Sequence, residues 1–459
     1  MNVGDARRIH FIGIGGAGMS ALARVLLERG QEVSGSDLQA NEVTGSLESK
    51  GAVVSRGHAA AHVEGADLVV VSNAIAADNS EVQAARALGL PVVSRGEALA
   101  HMLSGTRSVV VAGTHGKTTT TSMIVTIMRK AGGDPTYLVG AELLGDAGNA
   151  HAGTDALAIA ESDESDGSFL LLSPAVGVIT NVDADHLDHW GSQELYRAGF
   201  RDFVGRIQSG GTLVVPGADV DLRNEAIEAG LATITFGPEG DVSALDIDDG
   251  RPGETAMTLV LPRDRFPLRL PVPGPHNVEN ALAAAAAALA VDVPPADIAR
   301  GLEAYRGVER RFQMRATLAG RVVVDDYAHH PVEVRAALAT AQAGNGEWDR
   351  VVAVFQPHRY SRTAVFASDF GSAFAAADRV VITDVYGAGE HPMAGISGKV
   401  IADAVCEQLP GRPVAYIPER TQLLDYLAIT TRPGDLVLTL GAGDVTLLAD
   451  ELRDVLESR

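Results

Sequence analysis

Short apolar runs of β type alternate with longer stretches of helical spacing over most of the chain. That alternation predicts an α/β protein with parallel sheets wrapped by helices. In residues 1–105 strands are expected at 8–14, 32–37, 67–72 and 91–94, and helices at 19–29 and 97–103. In residues 106–310 strands are expected at 108–111, 156–160 and 175–180, with a threonine-rich helix running to Lys130 and stopping at Gly132-Gly133. Alternation resumes over 212–236, whereas 242–271 is broken by Gly and Pro into short runs that suit antiparallel strands. An alanine-rich helix follows His276-Asn277-Val278-Glu279-Asn280. In residues 311–459 strands are expected at 321–325, 351–355, 380–383, 414–417 and 436–440.

Two glycine turns lie between a strand and a helix. Gly113-Thr114-His115-Gly116-Lys117-Thr118 has the order that cradles phosphate, with small residues exposing backbone N–H groups at a helix N-terminus. Lys117 would reach the terminal phosphates, and the Thr118 hydroxyl would face Mg²⁺. The general P-loop rule wants glycine where this chain has Val111. The other turn, Gly13-Ile14-Gly15-Gly16-Ala17-Gly18, fits G-x-G-x-x-G, and Asp37 falls near the place of a ribose-binding acid. Alone it reads as a dinucleotide turn, yet the same turn accepts the diphosphate of any nucleotide, with tight strand–helix packing as the lesser alternative. Ser72 and Asn73 follow a strand's carboxyl end, where ligands of open α/β sheets gather.

Acidic and imidazole groups mark further loops. Glu161 abuts a strand near the phosphate turn and is placed to hold Mg²⁺. Asp163, Glu164 and Asp166 beyond it suit a solvated loop as well as a site. The stretch Asn181-Val182-Asp183-Ala184-Asp185-His186-Leu187-Asp188-His189-Trp190 is dense in Asp and His after a buried strand. In the last segment the loops carry Asp325-Asp326-Tyr327-Ala328-His329-His330, Gln356-Pro357-His358-Arg359-Tyr360-Ser361-Arg362 and Asp384-Val385-Tyr386-Gly387. The arginine pairs 310/311 and 359/362 suit bidentate binding of carboxylate or phosphate, or surface salt bridges.

The 459 residues suggest about three domains. A net charge of −22 disfavours nucleic acid and anionic membranes as partners. Anionic substrates must then be held by local Arg, Lys, backbone amides and metal. The lone cysteine, Cys406, excludes an internal disulfide and reads as half-buried packing on a helix. The start of the chain shows no apolar core of signal-peptide length, and the longest apolar stretch, 281–291, is too short for a bilayer. A cytoplasmic protein, monomer or homodimer, is expected.

The stretches GTHGKTTTTSM, ESDESDGSF, TNVDADHLDHW, HNVENALAA, GVERRFQ and DDYAHHP resemble the Mur ligase family of peptidoglycan synthesis, in the family's order. GIGGAGMSALA, FQPHRYSRT and DVYGAGE narrow the likeness to the branch that uses L-alanine. Gly387 and Asp444 depart from that branch, which has proline and asparagine there. The resemblance implies three domains: N-terminal Rossmann-like for UDP (1–105), a central P-loop ATPase-type mixed sheet (106–310), and a C-terminal Rossmann-like parallel sheet for the amino acid (311–459). It implies ATP, UDP-N-acetylmuramate and L-alanine as substrates, an acyl-phosphate route, and two Mg²⁺ ions for which Mn²⁺ can substitute. Gly113, Thr114, His115, Gly116, Lys117, Thr118 and Thr119 would bind ATP, with His276 and Asn280 on its adenosine side. Arg310, Asp325 and Asp326 would also meet ATP. Thr118 and Glu161 would hold one ion, and His186 with Glu161 the second. Gly15, Gly16, Ala17, Gly18, Met19, Asp37, Ser72 and Asn73 would hold the UDP substrate. Tyr327, His329, His358, Arg359, Arg362 and Tyr386 would line the muramate carboxyl and alanine site. A sister ligase of the family is the nearest alternative. A nicotinamide oxidoreductase, argued from the first turn alone, leaves the Lys117 loop unexplained.

Overall fold

The computed structural model describes residues 3–39, 41–145, 148–183, 186–248, 253–343 and 348–457. The chain divides into two compact units: residues 1–246, 257–269 and 278–306 form the first, and 247–256, 270–277 and 307–459 the second.

The first unit holds two sheets. β1 (Arg8–Ile12), β2 (Glu32–Asp37), β3 (Val53–Arg56), β4 (Leu68–Val71) and β5 (Val92–Ser94) are parallel in the order β3-β2-β1-β4-β5. The order reverses at β1, so the turn after β1 and Ser72-Asn73 after β4 lie side by side at the switch point. Ligands of open α/β sheets bind in that crevice. The second sheet comprises β6 (Arg107–Ala112), β7 (Thr136–Leu138), β8 (Ala150–His151), β9 (Leu157–Glu161), β10 (Val176–Ile179), β11 (Thr212–Pro216) and β12 (Ala232–Phe236). Its order is β12-β11-β10-β6-β9-β7-β8. Only β8 is antiparallel to its neighbour, which makes the sheet mixed, as expected.

β6 lies between β10 and β9. Its residues from Ser108 to Ala112 are all buried, which is why the run Val109-Val110-Val111 is continuously apolar rather than alternating. The following helix Lys117–Lys130 buries Met123, Ile124, Val125 and Ile127, and ends at Gly132 (φ 89°). One apolar core runs from Ile9 and Phe11 under the first sheet to Val110, Phe200 and Leu213 under the second. A separate three-stranded sheet, β13 (Ser243–Asp248), β14 (Thr255–Val260) and β15 (Arg265–Leu270), accounts for the region broken by Gly and Pro.

The second unit carries a six-stranded sheet. Its strands are β16 (Gln313–Leu318), β17 (Arg321–Asp326), β18 (Arg350–Phe355), β19 (Arg379–Ile382), β20 (Val414–Tyr416) and β21 (Asp435–Leu440), in the order β16-β17-β21-β18-β19-β20. The expected all-parallel sheet needs one correction: β16 is antiparallel to β17. Leu318 pairs with Arg321, so only Ala319 and Gly320 connect the two strands, and both have positive φ. A two-residue loop of that hand permits a hairpin and no crossover. Cys406 also departs from expectation. It is exposed, on a helix (Gly398–Gln408) whose buried face is Ile401, Ala402 and Val405. No helix among the described residues is long and apolar enough to cross a membrane.

Candidate active site

The sheet order brings three loops together in the first unit: Gly113–Lys117 after β6, the acidic run after β9, and Asn181 onward after β10. Gly113 (φ 132°) abuts Thr180, and Gly116 (φ 79°) abuts the Asn280 amide, so neither place admits a side chain. Asn181 and Tyr196 brace the turn. The His115 amide donates to Asn181 Oδ1 (2.9 Å), Asn181 Nδ2 donates to the His115 carbonyl (3.0 Å), and the Thr114 hydroxyl lies 2.9 Å from Tyr196 OH.

Lys117 folds back over this turn. Its Nζ donates to the carbonyls of Gly113 (2.7 Å) and Thr114 (3.0 Å) and pairs with Glu164 Oε2 at 2.8 Å. Glu164 is wholly buried. Burial alone would lower the ammonium's pKa, but Glu164, with Asp163 and Glu161, outweighs it and raises the value. The lysine is therefore a charged group held at the mouth of a helix N-terminus, with its counter-charge beneath it. Beside it the Thr118 hydroxyl donates to Glu161 Oε1 (2.9 Å), and Glu161 Oε2 accepts from the Gly140 amide (2.8 Å). Thr118 and Glu161 are hard oxygen donors at adjoining strand and helix ends, a pair suited to Mg²⁺ that completes its shell with water and phosphate. His186 (φ 54°) places Nε2 3.4 Å from Glu164 Oε1. Ala184 and Asp185, singled out in the sequence, lie outside the described residues. Thr119 is buried in the helix's first turn, and Asn280 accepts from the Thr120 hydroxyl at 3.3 Å.

The first glycine turn is closed on itself. Gly15 N donates to Asp37 Oδ2 (2.9 Å), while Gly13 N and Ile14 N both donate to the Ser36 carbonyl at 2.8 and 3.1 Å. Gly16 leads into the helix Ala17–Glu28, in which Met19 is buried. Ser36 in turn donates its hydroxyl to Glu81 Oε2 (2.5 Å). Burial would raise the Glu81 pKa, yet hydrogen bonds from His10, Ser36, His62 and His58 pull it down to about 2. Ser72 Oγ accepts from the Ala74 amide, and Asn73 donates to Asp166.

In the second unit Arg310 (φ 59°) pairs with Asp325 at 3.2 Å and donates to the carbonyls of Gly441 (2.5 Å) and Gly443 (3.1 Å). Asp325 is fully buried and also accepts from the Thr439 and Thr446 hydroxyls, both at 2.7 Å. It braces the loop after β21. Burial raises the Asp326 carboxyl to about 6 against the pull of Arg311 and of the Ala328 and Phe312 amides. Tyr327 lies under Arg310, whose guanidinium carbon is 4.9 Å from the ring centre. His329 and His358 rings are 5.6 Å apart, and His358 stacks on Tyr386 at 5.9 Å and 11°. Arg362 Nη1 is 3.1 Å from His358 Nδ1, and since a guanidinium only donates, that nitrogen is the acceptor. Burial, then His329 and the neighbouring arginines, push His358 down to about 3, and burial takes His329 to about 4. Arg359 is exposed with φ 66°, its amide donating to the Tyr386 carbonyl (2.8 Å). His276 is lowered to about 4 by burial and by Arg311. Asp444 accepts from Gln356 Nε2 at 2.6 Å, so the departure from asparagine leaves that bond in place.

Glu164 was not distinguishable from a solvated acid in the sequence, yet it is the partner of Lys117. Its signal was its place three residues beyond Glu161, on the strand end that meets the phosphate turn. Asn181 lay within the Asp- and His-rich stretch the sequence singled out, whereas Tyr196 and Glu81 carried no signal, because each acts on a partner distant in sequence that the fold brings in.

Family models match the chain in order: the Mur ligase family, catalytic domain, over residues 8–107; the Mur ligase middle domain over 111–288; and the Mur ligase, glutamate ligase domain over 310–443. The UDP-N-acetylmuramate–L-alanine ligase of Saccharopolyspora erythraea is 44% identical over 97% of this chain and 92% of its own. That of Mycolicibacterium smegmatis is 45% identical over 98% and 95%. A solved UDP-N-acetylmuramate–alanine ligase from Thermotoga maritima matches with a TM-score of 0.84 at 30% identity, covering 98% of this chain and 99% of that one.

Proposed function

The chain belongs to the Mur ligase family, and from that premise we propose that it joins L-alanine to the lactyl carboxylate of UDP-N-acetylmuramate, converting ATP to ADP and phosphate. The product is a peptidoglycan precursor. Residues 1–105 serve the UDP substrate, 106–310 ATP and 311–459 the amino acid. The observation that carries the reading is Lys117, held charged on the glycine turn beside the Thr118–Glu161 pair.

A carboxylate is a poor electrophile. The lactyl oxygen attacks the outer phosphorus of ATP, ADP leaves, and an acyl phosphate results. The alanine amine then attacks the acyl carbon, and the tetrahedral intermediate expels phosphate. Such transfer is mostly positioning and charge neutralisation. The triphosphate replaces Glu164 and the two loop carbonyls as the partner of Lys117, and the amides of Gly113–Thr119 cradle its oxygens. Thr118 and Glu161 would hold Mg²⁺, which offsets charge on the transferring phosphoryl group, and His186 is the proposed donor to a second ion. The turn at 13–18 takes the UDP diphosphate. Arg359 and Arg362 bind carboxylates, with His358 kept neutral between Arg362 and Tyr386. His276 and Asn280 serve the adenosine end.

A phosphate-release assay crossing UDP-muramate substrates against an amino-acid panel tests this. Release should require ATP, UDP-N-acetylmuramate and L-alanine together. Preference for a preformed peptide would favour a recycling sister ligase, and no release with any pair would remove the reading.

A further inference from the structure

The acidic run after β9 carries the partners of both Lys117 and Thr118, yet residues of the first sheet hold its far side. Arg95, directly after β5, donates from Nη2 to Asp163 Oδ2 at 3.1 Å and lies 3.7 Å from Asp166. Asn73, directly after β4, donates to the same Asp166. The stem of Arg95 rests on the first glycine turn: a Cβ built at Gly18 would sit 2.9 Å from its Cδ. One residue on, Gly96 packs so closely on Ser168 that no side chain fits there. Arg95 is thus wedged between the turn that takes the UDP diphosphate and the loop that sets Glu161 and Glu164.

Charge gives the wedge a consequence. The partly exposed Asp163 carboxylate meets the Arg95 guanidinium, while its chain neighbour Glu164 is buried on Lys117, so one loop carries two ion pairs, one facing each nucleotide site. With Arg95 in place, Asp163 is largely compensated and Lys117 is free to exchange Glu164 for phosphate. Without Arg95, the full charge of Asp163 adds to that of Glu164 in holding Lys117 in its resting position.

The geometry points to Arg95 as a positioning residue that links the two sites: a diphosphate on the first turn fixes Arg95 on Asp163 and Asp166, and so sets the lysine loop for the triphosphate. The link rests on the function proposed above, and it requires each ligand to tighten the other by the same factor.

Calorimetry of a non-hydrolysable ATP analogue with Mg²⁺, in the presence and absence of UDP-N-acetylmuramate, reads that factor. The full chain should show at least about fivefold tightening. Arg95→Ala should bring the ratio close to one, and Arg95→Lys should keep part of it. Asp163→Asn removes the other partner without changing shape and should lose the ratio alike, and the double variant should lose no more than either single one. Steady-state kinetics should show the loss as a higher KM for ATP at fixed UDP substrate. A ratio of one in the unaltered chain, or a full ratio in both Arg95→Ala and Asp163→Asn, would overturn the link while leaving turnover intact. UDP-N-acetylmuramate that neither binds nor turns over would instead remove the functional reading.

Discussion

Replacing Lys117 by alanine separates what the lysine does for the fold from what it does for the reaction. The substitution strands Glu164, whose side chain is wholly buried, beside an empty turn. Breaking a buried pair in this way costs about 3–5 kcal/mol. For a domain the size of the central one, each kcal/mol is worth roughly 2–4 °C, so its melting transition should fall by about 6–20 °C. Adding Glu164→Gln removes the stranded charge and should restore most of the lost transition temperature. Turnover should not return, because the transferred phosphoryl group has lost its cation, a loss of at least about 10²–10³-fold. Calorimetry of the UDP substrate should show binding retained in the single variant, since that turn lies on the other sheet of the unit. Two results refute the reasoning: additive destabilisation in the double variant, which would mean Glu164 was never stranded, or near-normal phosphate release without the lysine.

Glu161→Ala should lower phosphate release by on the order of 10²-fold or more, and raising Mg²⁺ should recover little, since the carboxylate is proposed as an ion ligand. Near-normal rates at millimolar Mg²⁺ would exclude that role. Arg362→Ala should raise the KM for L-alanine by about 10–100-fold with little change in that for ATP, the worth of one charged hydrogen bond. The three imidazoles at His276, His329 and His358 fall to about 4, 4 and 3. Depressed imidazoles bind fewer protons folded than unfolded, so stability of the second unit is fully present above about 6.5 and is lost as pH falls through 6.5 to 4. Asp326, raised to about 6, works in the opposite sense between about 3.8 and 6, but it is one group against three. Melts between pH 4 and 7 should show this acid limb, and His329→Gln should flatten it.

What the sequence revealed and what it hid divide along a physical line. β2 was read to its true ends and the other expected strands to within one or two residues, and several of them, such as β6 and β21, are buried on both faces and declare themselves as apolar runs. β3, β8 and β16 were missed because edge strands are short or carry polar residues and expose part of their length, and β7, buried inside its sheet, is only three residues long. The phosphate turn was legible because its function lies in contiguous residues: two glycines at positive φ, a lysine and a threonine. The lysine's partner was not, because an acid in a run of acids looks the same in sequence whether water or a buried ammonium compensates it. Asp163, Glu164 and Asp166 sit within four residues, yet one meets Arg95, one Lys117 and one Asn73. Only the sheet order, which sets β9 beside β6, and the approach of the first sheet's carboxyl edge to the same loop assign each acid its partner. The same reasoning explains why so acidic a chain can grip two anionic nucleotides. Its carboxylates around the turns are already paired with Lys117 and Arg95, so an arriving phosphate exchanges partners with groups that are poised and charged rather than approaching an uncompensated negative field.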